Sequence, residues 1–187
     1  MKKNLSIKEL LYDKLDNISE KKIQLDISKG QSPKIINEII SRCYPKILQH
    51  TGDINENVGI FAESLMHYLL TIALLPSQRK VSQNNIGIDI VIPDLKTLKS
   101  NPEDSIIIYF PKTNNEEIIK EGILKLEKIQ PNLNNIWLVL HNNFETQNRT
   151  YVIENNNTAF SRILQDIIKF LSSRKQSNFK IINHNFY

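Results

Sequence analysis

Three kinds of charged side chain stand where apolar neighbours make them costly to bury. Glu63 lies in the run IFAESLMHYLL, Asp89 and Asp94 lie in GIDIVIPD, and Lys112 closes IIIYFPK. A carboxylate flanked by Ile88, Ile90, Val91 and Ile92 needs a partner if it is buried. Hard cations take oxygen ligands, so Glu63 and Asp89 together can hold Mg²⁺ or Mn²⁺ against a phosphodiester. Lys112 then orients or deprotonates an attacking water. The other reading of each residue is structural: Glu63 in a helix salt bridge, Asp89 in water on an edge strand, Lys112 as a strand end beside Pro111.

The elements that must position these residues follow from hydrophobic spacing. Residues 6–26 read as one amphipathic helix with Ile7, Leu10, Leu11, Leu15, Ile18 and Ile23 on one side. A second helix starts with Ser32 as N-cap and Pro33 in its first turn, carries Ile35, Ile36, Ile39, Ile40 and Cys43, and is bent or ended by Pro45. A third, from Asn57 to Leu75, holds Glu63, with His67 one turn further on the same side. The period then changes to two. Arg79–Ser82 and Gly87–Ile92 form a hairpin about Asn84-Asn85, and Ser105–Phe110 is a buried strand beyond the polar stretch LKTLKSNPED, with Glu103 and Asp104 in the turn before it. Alternation places Asp89 with Val91, and Lys112 with Ile108 and Phe110.

Thr113 with Glu116 fits a capping box that opens a helix bearing Ile119, Gly122, Ile123, Leu126 and Ile129. Ile136–Leu140 is a buried strand with Trp137 in the core, Arg149–Glu154 a weaker strand, Thr158–Ser173 a helix and Phe179–Ile182 a last strand. The fold class is α/β (α+β), a helical layer packed on a mixed sheet. Three segments are expected within one compact unit: a helical segment 1–56, a core 57–141 and a basic αβ extension 142–187.

The helical Glu63, the strand carrying Asp89 and the strand ending in Lys112 resemble the PD-(D/E)XK (restriction-endonuclease-like) nuclease superfamily, in an arrangement similar to archaeal Holliday junction resolvases. The likeness covers about residues 57–141. It implies a divalent-metal DNA phosphodiesterase with Glu63, Asp89 and Lys112 as catalytic residues, and Glu63, Asp89 and Asp94 as acids for Mg²⁺ or Mn²⁺. Pro93-Asp94 spells the literal PD. The motif acid two residues before the lysine is replaced by Phe110, which points to the alternative of a catalytically inactive nuclease-fold protein serving as an interaction or structural subunit.

Composition narrows the partners. Lysine and arginine number 24 against 20 acids, a formal net charge of +4. Residues 158–187 hold five cations, Arg162, Lys169, Arg174, Lys175 and Lys180, against Asp166 alone, a surplus as large as that of the whole chain. Arg174, Lys175 and Lys180 are the candidate nucleic-acid contacts, with DNA favoured over RNA and Phe179, His184, Phe186 and Tyr187 as stacking surfaces. Solvation and the helix dipole explain the same charges without a ligand. A single cysteine, Cys43, excludes an intramolecular disulfide and is expected to pack as a small hydrophobe in a cytoplasmic protein. Phosphate loops ending in GK, GxGxxG turns and nucleophile elbows are missing. No secretion signal or membrane span is expected, and the first amphipathic helix offers a surface for a homodimer or protein partner.

Overall fold

The computed structural model describes residues 5–154 and 159–182, the last eight as backbone only. The single helix expected over 6–26 is two, α1 (Ile7–Asp16) and α2 (Glu20–Ser28), because Ile18 is buried in the turn between them. A capping box at Ser6 and Glu9 opens α1. Helix α3 (Ser32–Ile47) is capped by Gln31 rather than Ser32 and runs through Pro45. A proline costs a helix one hydrogen bond, but the stripe that includes Tyr44 and Ile47 stays buried on both sides of it. Helix α4 (Ile54–Ile72) begins earlier than expected, where the Asp53 side chain accepts the Glu56 N–H. It ends before Pro76, at Leu74, whose φ of 53° is left-handed.

Strands β1 (Gln78–Gln83) and β2 (Ile86–Ile92) form the expected hairpin, with Asn84 and Asn85 both at positive φ as a two-residue turn requires. The polar stretch after β2 folds into helix α5 (Leu95–Ser100), capped by Asp94, and a 3-10 turn at Pro102–Asp104. Strand β3 (Ile106–Tyr109) follows, then α6 (Glu116–Glu127), β4 (Ile136–Leu140), β5 (Arg149–Val152) and α7 (Ile163–Ile182). The cap of α6 is Asn115, whose side chain takes the Glu117 and Ile118 N–H groups, while Thr113 accepts from Asn115 one step outside. The Phe179–Ile182 strand is not formed. Adding a turn to an existing helix costs far less than starting a strand, and α7 continues to Ile182. The carboxy-terminal extension is therefore βα. Lys175 and Lys180 as side chains, and His184, Phe186 and Tyr187, lie outside the described residues.

The sheet order is β1-β2-β3-β4-β5, antiparallel through β3 and parallel from β3 to β5. Its two faces bury different sets. Ile90, Ile92, Ile106, Ile108, Phe110, Trp137 and Val139 join α1, α3, α4 and α7 in the larger core, which draws on all three sequence segments. Ile107, Ile136 and Leu138 face the thinner layer of α5 and α6. Gly122 lets α6 lie on the sheet, since a Cβ there would collide with the Tyr109 phenol. Mixed α/β architecture is thus as expected. Among the described residues no helix is long and apolar enough to cross a membrane.

Candidate functional site: a carboxylate among three cations

Glu63 is 4% exposed, in the middle of the most apolar helix of the chain. Its Oε2 lies 2.7 Å from Lys112 Nζ, and its Oε1 lies 3.3 Å from an Arg79 guanidinium nitrogen and 3.8 Å from Lys80 Nζ. Burial pushes its pKa up. The Lys112 hydrogen bond and the charges of Lys112, Lys80 and Arg79 outweigh that and hold it below its usual value. The carboxylate is ionised and shared among three positive groups.

The local backbone is arranged around this contact. Lys80 and Lys112 both sit at left-handed φ, 50° and 54°, at a cost of about 1 kcal/mol each. Gly59 lies one turn before Glu63, and a Cβ there would approach Lys112 Cγ to 2.6 Å and its Cα to 3.1 Å. With hydrogen in that place, the helix backbone touches the Lys112 stem and steers its ammonium onto the next turn.

Asp89 is held differently. The pairs Arg79–Ile90 and Val81–Ile88 bracket Lys80 and Asp89 in the hairpin. Ile88 packs with the α5–α6 side whereas Ile90 packs with the larger core, so strict alternation slips at Asp89 and does not group it with Val91. One Asp89 oxygen accepts the Phe110 N–H at 2.8 Å, where the β2–β3 ladder ends. Desolvation raises its pKa, opposed by that hydrogen bond and by Lys112. Glu63, Asp89 and Lys112, drawn from α4, β2 and the end of β3, therefore do come together.

Asp94 does not join them in any printed contact; its Oδ1 caps α5 by accepting the Thr97 N–H at 2.7 Å. Phe110 is 3% exposed and belongs to the larger core. Arg174 pairs with Asp104 at 3.6 Å and lies over the Phe170 ring. Asp104 precedes β3 and Lys112 follows it, so Arg174 is at the other end of that strand from the Glu63 cluster. His67 is partly buried, its pKa lowered by desolvation and then by Arg79. Trp137 is in the core, and Cys43 is fully buried with its thiol pushed up to about 11 by desolvation, a packing residue.

Sequence reasoning missed Arg79, Lys80, Gly59 and His141. The hairpin turn alone, continued down the ladder, sets Lys80 opposite Asp89. A glycine inside an apolar helix four residues before an acid is the signal for Gly59. His141 follows β4, and parallel pairing of Tyr109 with Leu138 brings it level with Lys112. Its Nε2 meets the Tyr44 hydroxyl at 3.0 Å and its Nδ1 meets Asn55 Oδ1 at 3.1 Å. Asn55 Oδ1 can only accept, so Nδ1 carries the proton and Nε2 accepts from Tyr44. Between His141 and Lys112 is a cavity of about 10 Å³, enough for one water.

A divalent cation does not fit the site as arranged. Both Glu63 oxygens are already engaged by cations, Asp89 spends an oxygen on a backbone N–H, and an apolar ring stands where a third acid would. Among the described residues no three His, Cys, Asp or Glu side chains group as metal ligands. With Glu63 and Asp89 ionised, the three cations leave the cluster one positive charge in excess. Comparison with family models, curated proteins and solved structures returned no match.

Proposed function

We propose that the chain is a nucleic-acid-binding protein with a restriction-endonuclease-like fold that holds the phosphodiester backbone without cutting it. The observation that carries this reading is the surplus of positive charge around Glu63, the reverse of what a divalent cation requires. The order helix, three antiparallel strands, helix, parallel strand, from α4 to β4, supports the fold assignment. Phosphate is an anion that Lys112, Lys80 and Arg79 can meet directly, while Glu63 keeps them gathered when no ligand is present. Asp89 fixes the backbone at Phe110 and so the point from which Lys112 departs.

Binding and cleavage of labelled single-stranded, duplex and four-way-junction DNA test it, with EDTA and with Mg²⁺ or Mn²⁺. The expected result is binding in EDTA, weakened by Lys112→Ala, and no cleavage with either metal. A second reading, a metal-dependent DNA phosphodiesterase, is favoured by the meeting of Glu63, Asp89 and Lys112 from three separate elements. Metal-dependent cleavage lost in both Asp89→Ala and Lys112→Ala would establish it. Absence of binding to every DNA would leave the interaction or structural subunit.

A further inference from the structure

The cations around Glu63 do not stop at the site. Arg79 and Lys80 follow Gln78 at the start of β1, an edge strand that pairs only with β2. Gln78 Oε1 accepts the Leu95 N–H at 2.9 Å and so ties the first turn of α5 to the strand. Against that tie lies a cleft of about 530 Å³ lined by Gln78, Leu95, Lys96, Lys99 and Ser100. Lys96 and Lys99 are exposed and three residues apart, which places both ammoniums on one face of α5. Among the described residues neither forms an ion pair, and the nearest acid in sequence, Asp94, is occupied as the cap of the same helix.

We propose that this cleft is a second phosphate subsite, and that a nucleic-acid backbone runs along the β1 edge from Lys112 and Lys80, past Arg79 and Gln78, to Lys96 and Lys99. The inference rests on the nucleic-acid reading above and deepens it. Five cations line the path, against Glu63, Asp89 and Asp94, each of which already has a partner inside the fold. The path offers ammonium, guanidinium and amide groups and no aromatic ring. It therefore contacts phosphates and not bases, and binding along it is insensitive to sequence and steeply dependent on salt. The edge strand stays free of further strands because cations and a left-handed Lys80 blunt it, which leaves the path open.

The test is fluorescence anisotropy of the full chain with a labelled 20-nucleotide single strand and a 20-base-pair duplex across a NaCl series. Lys96→Ala with Lys99→Ala is expected to weaken binding about tenfold at low salt. The slope of log K against log salt is expected to fall by about 1.4 on the single strand, two contacts at about 0.7 each. Lys125→Ala with Lys128→Ala, an exposed pair on α6, is expected to leave both quantities unchanged. Unchanged affinity and slope in the Lys96/Lys99 variant would overturn the subsite and leave nucleic-acid binding standing. An equal loss in the Lys125/Lys128 pair would overturn the path in favour of diffuse charge. No binding of either probe by the wild-type chain would overturn the subsite together with the reading it rests on.

Discussion

Glu63 and Asp166 are both carboxylates packed against the larger core, yet their surroundings differ in stoichiometry. Asp166 meets one cation among the described residues, Arg149 at 2.6 Å, and accepts the Tyr151 hydroxyl at 2.9 Å. Arg149 in turn lies over the Trp137 and Tyr151 rings, 4.9 and 5.4 Å from their centroids. Each charge there has one opposite charge, and the remaining contacts are stacking and a phenol. Glu63 gathers three cations, two of them on left-handed backbone. A balanced pair is what fastening β5 to α7 calls for. A surplus costs more to assemble than fastening needs, and it leaves positive charge to be met from outside.

The largest effect is expected from supplying the missing counter-charge. Phe110→Glu adds an acid beside Lys112 but replaces a core ring with a group that must be desolvated, and it should destabilise the fold by roughly 4 kcal/mol or more in urea unfolding. A stable variant that gains Mg²⁺ affinity would show that the imbalance is incidental. Glu63→Gln keeps the shape and removes the charge, at a cost of about 2 kcal/mol, whereas Asp166→Asn should cost about 1 kcal/mol because half-exposed Arg149 can turn to solvent. Equal losses would erase the distinction. Gly59→Ala should cost about 1 kcal/mol net, crowding against Lys112 outweighing the helix preference of alanine. Its effect on DNA binding should exceed its effect on stability, since it displaces the Lys112 ammonium. Gly122→Ala, at the Tyr109 contact, should affect stability alone.

The smallest effect is a pH dependence of opposite sign at the two acids. The Glu63 pKa is depressed in the fold, so its contribution is present above its unfolded value, near 4.5, and is lost as pH falls through the lower folded value. The Asp89 pKa is raised, so ionisation opposes folding at neutral pH and the penalty is released on acidification. Asp89→Asn, with an amide oxygen still able to accept the Phe110 N–H, should raise the urea midpoint at pH 7 and match wild type below about pH 3.8. A lowered midpoint at pH 7 would mean that the Asp89 charge is held for something other than the Phe110 contact.

How far the sequence disclosed this arrangement depends on the length over which each signal acts. The β1–β2 hairpin was legible because two adjacent asparagines between alternating runs define a turn and a register. Strand β4 was legible because five consecutive apolar residues suit burial on both faces. Glu63, Asp89 and Lys112 stood out as charges in apolar company. The break at Ile18, the Asn115 cap and the helical end of α7 were not legible, since each is decided by which of two local options the tertiary packing rewards. Arg79 and Lys80 looked like the wet face of an edge strand, and only the contact with α4 distinguishes them from surface charge.

Phe110 has a meaning beyond the missing acid. Its ring is shared volume, one face of a cluster with Ile90, Ile108 and Val139, so residue 110 answers to the core before it answers to the site. A chain of this kind cannot drift into a three-acid site by one substitution, because the volume the ring vacates must be refilled elsewhere in the same step. Whatever role the Glu63 cluster performs, the interior of the protein stands guard over its composition.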